Sequence, residues 1–169
     1  MGLVIALRLV HIVLGALWAG MMAFTVLFLT PAIRDAGPEG GKVMAQLQRR
    51  GVMTVMPIIA LLTLVSGVWL VQRVYGGMGP LMASRTGLAF AIGGAAALVA
   101  FVVGLALMRP AMARAAALAN ALASVTNDAD RAAQSAQILR LQARGAAVGR
   151  VVAVLLLFAL GAMAVARYL

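Results

Sequence analysis

The chain contains no cysteine, one histidine and four acidic residues, and charged side chains of either sign make up 11% of its 169 residues. Without thiols there is no disulfide framework, no thiolate nucleophile, no thiolate-bound zinc and no iron–sulfur cluster. Soluble domains carry roughly a quarter of their residues as Asp, Glu, Lys or Arg, because something must face water around the core. A chain this poor in charge cannot dress a soluble surface, which excludes a free cytosolic or secreted enzyme. Apolar side chains are abundant instead: they make up 64% of the residues, and a mean hydropathy of +1.06 places the protein in a lipid bilayer. The net charge of +10 would point to nucleic acid in a soluble chain. In a membrane protein it reports topology, and no nucleic-acid partner is expected.

Charge-free runs over residues 9–33, 51–72 and 86–108, and a shorter one over 151–166, locate the spans. Crossing the hydrocarbon takes about 20 mostly apolar residues. The first three qualify outright, and the fourth does so if 146–149 join it with Arg150 snorkelling from the edge. The expected architecture is an all-α, four-helix integral membrane bundle in a single domain, with helices over residues 3–29, 51–74, 86–108 and 147–167. The first run is longer than the h-region of a cleaved signal peptide, and no basic n-region precedes it.

Lys and Arg distribute unevenly between the connections. Those after spans one and three hold Arg34, Lys42, Arg49, Arg50, Arg109, Arg114, Arg131, Arg140, Arg144 and Arg150; the opposite side holds Arg8, Arg73, Arg85 and Arg167. The bias predicts a multi-pass protein of the bacterial cytoplasmic (inner) membrane with both termini on the outer, periplasmic side. The two basic connections are also alike. Thr30-Pro31-Ala32 and Arg109-Pro110-Ala111 each precede an amphipathic stretch that ends in a similar hexapeptide, Gln46-Leu-Gln-Arg-Arg-Gly51 or Arg140-Leu-Gln-Ala-Arg-Gly145. This is the pattern of two parallel two-helix repeats, related by an axis along the membrane normal. The longer second connection predicts an inner helical hairpin over 110–146, its second arm capped by Thr126 or Asn127. Only a stalk or partner role attaches to it.

No Asp, Glu or Lys lies in any span, so the carboxylate relay of a proton-coupled transporter is absent. The third and fourth spans hold almost nothing polar, which weakens a channel reading, and their repeated Gly and Ala fit close helix packing. The first span differs, because Arg8, His11, Gly15, Trp18 and Met22 fall on one helical stripe. An imidazole there can ligate a metal or haem, shuttle a proton, or simply donate a hydrogen bond. His11 lies 20 residues before Pro31, so its counterparts on the second span are expected about 20 residues beyond Gly51, at Trp69 and Gln72. Met53 and Met56 are excluded by depth, at about 25–30 Å away. The candidate pocket gathers Arg8, His11, Trp18, Trp69, Gln72, Phe90 and Met163, with Met78 and Met82 able to fold over it from the short outer connection. The eleven methionines are scattered along the chain, and gap-filling explains most of them.

The stretch from His11 through Trp18 to Gly20, followed by Pro31, resembles a group of small bacterial membrane bundles. These are the copper-resistance D (copper export) and membrane protoporphyrinogen oxidase-like proteins, which open a span with His, then Trp seven residues on, then Gly. The match covers about the first 35 residues. The resemblance implies a haem b or copper ligand at His11, with Trp18 and Gly20 packed around it; Met163, at the matching depth on the fourth span, is a second candidate metal ligand. The repeat puts Phe90 where a duplicate of His11 would stand, so two histidines cannot come from one chain. The remaining arrangements are His with Met, five-coordinate iron, or two His11 residues brought together in a homodimer. A haem- or copper-binding protein for electron transfer or metal handling is the leading expectation. Its rival is a non-enzymatic structural or assembly subunit of a larger membrane complex.

Overall fold

The computed structural model describes the backbone of all 169 residues and the side chains of all but Pro38 and Ala123. Four helices are long and apolar enough to cross a membrane: α1 (Gly2–Asp35), α3 (Val52–Tyr75), α5 (Arg85–Ala121) and α6 (Asp128–Tyr168). Two shorter helices, α2 (Pro38–Arg49) and α4 (Met78–Met82), fill the connections after α1 and α3. No strand occurs among the described residues. Neighbouring long helices run antiparallel, so both termini lie at the same end. The most extensive packing joins α1 to α3 and α5 to α6; α6 also packs on α1, and α3 touches α5.

Three of the long helices outrun the spans expected from sequence. The expected end of the first span at residue 29 is corrected to Asp35, and the third, expected over 86–108, continues to Ala121. Proline was read as a stop in both places. Pro31 and Pro110 have no N–H to give the carbonyls of Leu27 and Ala106, and their rings crowd those oxygens. The chain absorbs the conflict by widening a single turn. Thr25–Leu29 and Gly104–Met108 are π-helical, and the N–H groups of Thr30 and Arg109 reach back five residues to Thr25 and Gly104. The same device thus occurs at the same place before each proline. Pro57, near the start of α3, lies inside a continuous α-helix.

The hairpin expected over 110–146 exists, but as the continuation of α5 and α6 and not as a separate pair of helices. At 37 and 41 residues, α5 and α6 are about 55–60 Å long, against about 30 Å of hydrocarbon. Asn127, and not Thr126, caps the second arm, its side chain accepting from the N–H of Ala129 at 2.9 Å. Arg131 donates to the carbonyl of Val125 and Gln134 to that of Leu118, which ties the arms together.

The core sits where the long helices converge. Trp18, Ala19 and Met22 of α1 meet Ile59 and Ala60 of α3, Ala97 and Ala100 of α5, and Val152, Ala153, Leu156 and Ala159 of α6. Most of these are small, which lets backbones approach. Trp18 fills the space left over, with its ring edge-on to Phe101, centroids 6.4 Å apart. The outward faces are apolar as well: Val68 and Val154 are 72% and 66% exposed. That surface suits lipid and not water.

The outer connection is made of tight corners. Gly76 ends α3 at φ 76°, a conformation that glycine adopts without strain. At the next corner, a Cβ on Gly87 would collide with the backbone carbonyl of buried Leu81. Gly87→Ala is therefore expected to cost about 1–3 kcal/mol by overpacking. Gly94→Ala, where nothing lies within 4 Å of the new methyl, should be neutral or mildly stabilising. Thermal unfolding of both variants in detergent, followed by circular dichroism, checks the contrast.

Candidate functional site

His11 stands at the centre of the face that α1 buries, between Leu7 and Trp18, and it packs against α3. Its Nδ1 lies 2.8 Å from the backbone carbonyl oxygen of Thr63. A carbonyl can only accept, so Nδ1 carries the proton and donates it. The hydroxyl of Ser66 is 3.4 Å from the same nitrogen. That hydroxyl spends its own proton within α3, against the carbonyls of Leu62 at 2.7 Å and Thr63 at 2.9 Å, and so meets the imidazole with a lone pair. The Thr63 hydroxyl bonds to the carbonyl of Ile59 at 2.8 Å. Thr63 and Ser66 are the buried polar residues among those described, and the backbone of their own helix satisfies both.

In the neutral ring, protonation at Nδ1 leaves the lone pair on Nε2. Nε2 makes no hydrogen bond among the described residues. It is not sealed off either, since no buried, unpartnered side-chain nitrogen or oxygen occurs among them. The imidazole is thus tethered at one nitrogen and available at the other.

Glycine makes the seat for the ring. A Cβ on Gly67 would stand 2.8 Å from Cε1 of His11, and one on Gly15 would stand 3.3 Å from Cγ2 of Thr63. These contacts fix the antiparallel register of α1 and α3, with residue 11 opposite 67 and residue 15 opposite 63. The same register puts Gly51 opposite Leu27, one turn short of Pro31. For that reason the counterparts of His11 are Thr63, Ser66 and Gly67, not the expected Trp69 and Gln72. Trp69 is 46% exposed, on the outside of α3, and Gln72 reaches toward Gly77 in the outer connection.

The other candidates scatter. Arg8 is exposed one turn outward, Trp18 is buried two turns inward, and Phe90 is half-buried on α5. Trp18 meets Phe101, and seven residues outward on each helix stand His11 and Gly94. Nothing lies within 4 Å of a Cβ position on Gly94. Met163 closes over Gly93 at the α5–α6 contact, where a Cβ would come 3.0 Å from its Cγ. Met78 and Met82 are exposed. Thr63, Ser66 and Gly67 escaped the sequence reading. Their signal was present as a small and polar run in the second span whose four-residue step from Thr63 to Gly67 matches the step from His11 to Gly15.

As a donor set this site offers one imidazole nitrogen. No group of three or more His, Asp or Glu side chains able to hold a metal ion occurs among the described residues. A single imidazole nitrogen can serve one ligand position on a haem iron. A copper(I) centre takes several soft donors, and the candidate Met163 packs at Gly93 on the α5–α6 contact. No family model, curated protein or solved structure matches the chain.

Because His11 is the only histidine, its imidazole gives a single set of nitrogen resonances in labelled protein. The expected pattern is a protonated Nδ1 and an unprotonated Nε2. Gly67→Ala should shift that signal and cost about 1–3 kcal/mol by crowding the ring. Gly94→Ala, where nothing lies within 4 Å of the new methyl, should leave the signal in place.

Proposed function

We propose that this is a membrane protein of the bacterial cytoplasmic membrane that binds haem b through Nε2 of His11 and serves electron transfer or metal handling. The observation that carries the reading is the tether of Nδ1–H to the Thr63 carbonyl at 2.8 Å, which leaves Nε2 unpartnered. Metal-ligating histidines characteristically donate their other ring nitrogen to a carbonyl or carboxylate, and this fixes both tautomer and ring orientation. The resemblance of the His11–Gly20 stretch to the copper-resistance D and protoporphyrinogen oxidase-like bundles points the same way. Bound haem would supply a one-electron couple. The protein's part is to aim the imidazole, through Thr63 and Ser66, and to keep water from it with Trp18 and the apolar wall. Copper is the weaker candidate, because Met163 is engaged at Gly93. Both termini are assigned to the periplasmic side, and the two halves to one duplicated hairpin, on the basic residues and the paired π turns.

Purified protein is expected to show a Soret band that His11→Ala abolishes while the helical content is retained. One haem per chain would indicate a single His11 on each iron. One haem per two chains would indicate two His11 residues sharing it across a homodimer. A preparation from haem-supplemented cells with neither a Soret band nor stoichiometric copper, unchanged by His11→Ala, would sink the proposal.

A second reading, a structural or assembly subunit of a larger complex, rests on the exposed α5–α6 hairpin, whose long arms continue beyond the apolar spans. Deleting residues 115–137 should then abolish co-purification with fixed partners and leave any cofactor spectrum alone. The absence of native cysteine allows topology to be read directly. Ser124→Cys is expected to react with a membrane-impermeant thiol reagent only from the cytoplasmic side, and Met78→Cys only from the periplasmic side.

A further inference from the structure

A groove of about 320 Å³ lies between α5 and α6 where both helices leave the apolar part of the bundle, far from His11. Its membrane end is formed by Leu107, Pro110 and Ala111, and its outer end by Arg114, Leu141 and Arg144. Leu107, Pro110, Ala111 and Arg114 are spaced three, four and seven residues apart, so they form one stripe of α5. Leu107 lies within the π turn Gly104–Met108 and belongs to the apolar run. Arg114, seven residues on, stands about 10 Å further along the helix axis. Apolar wall at hydrocarbon depth and guanidinium at headgroup depth therefore share one cleft. The two arginines are exposed, and the one ion pair among the described residues is Lys42–Glu39, elsewhere in the chain. The nearest acids on these helices, Asp128 and Asp130, stand at the hairpin tip, about 20 Å along α6 from Arg144.

We infer that this groove is a site for an anionic phospholipid. Arg114 and Arg144 would take the phosphodiester in charge-assisted hydrogen bonds, and the upper acyl carbons would lie along Leu107 and Pro110. Basic clefts between membrane helices at the headgroup level are suited to such lipids because charge and apolar surface are offered at the two depths a lipid needs. The inference rests on the membrane placement of the four helices and is independent of His11.

The test is titration of the full chain in neutral detergent with phosphatidylglycerol or phosphatidylcholine, read by native mass spectrometry and thermal stabilisation. The wild-type protein is expected to favour phosphatidylglycerol by about 30-fold, from about fivefold for each arginine near the surface. The Arg114→Gln/Arg144→Gln double variant should lose that preference. Arg114→Gln alone should lose part of it, and Arg150→Gln, an exposed charge outside the groove, should keep it. Equal binding of the two lipids, or a preference that survives the double substitution, overturns the proposal. So does equal stabilisation by inorganic phosphate, which would make this a free-anion site, or by an acidic peptide without lipid.

Discussion

Helices in hydrocarbon gain nothing by burying apolar side chains against one another, because the lipid is equally apolar. They must be held by close contact, and in this chain glycine and alanine make the contact. Gly93 takes the backbone carbonyl of Ala159, with a Cβ position 3.1 Å from that oxygen, while Gly145 and Gly149 take the sulfurs of Met112 and Met108. Ala60 and Ala100 are almost wholly enclosed. Many large side chains point outward, where they meet acyl chains, and much of the core is alanine. Trp18, Met22, Ile59 and Leu156 are larger side chains that fill the spaces left between the helices.

A second constraint follows from the same solvent. Backbone groups that lose their partners in hydrocarbon have no water to turn to. Each of the two prolines at the membrane edge would strand a carbonyl where a helix passed through it. The π turns at Thr25–Leu29 and Gly104–Met108 carry the chain through with five-residue returns, so α1 and α5 continue beyond the prolines. Continuity of α5 then carries Arg114 in line with Leu107. The groove between α5 and α6 is thus a consequence of how the backbone copes with Pro110.

The four spans were legible because their only signal is length of apolar run, which no alternative packing can imitate. The helical ends were less so. Proline usually stops a helix, and the sequence carries no mark that a widened turn will let it proceed. The stripe containing His11 and Trp18 was visible from its spacing, yet the depth of its partners was misjudged by one turn. The error comes from the same source: the level of Gly51 was set from Pro31, whereas the contact between Gly15 and Thr63 sets it from Leu27. Thr63, Ser66 and Gly67 look like ordinary packing residues until the register brings them under the imidazole.

The links from His11 to Thr63 and Ser66 differ in kind from every other contact between the long helices within the apolar spans, because among the described residues they alone are side-chain hydrogen bonds. An interhelical hydrogen bond in a membrane adds about 0.6–2 kcal/mol, no more than a few well-packed methyl groups would. Stability alone therefore explains it poorly, since a Leu or Met at residue 11 could pack against a suitably shaped α3 without burying an imidazole. The bond requires a polar ring and a seat kept clear by Gly67. What it returns is orientation: the carbonyl of Thr63 sets the tautomer and holds the ring, and Nε2 is left without a partner among the described residues. That is the arrangement on which the proposed ligand role rests.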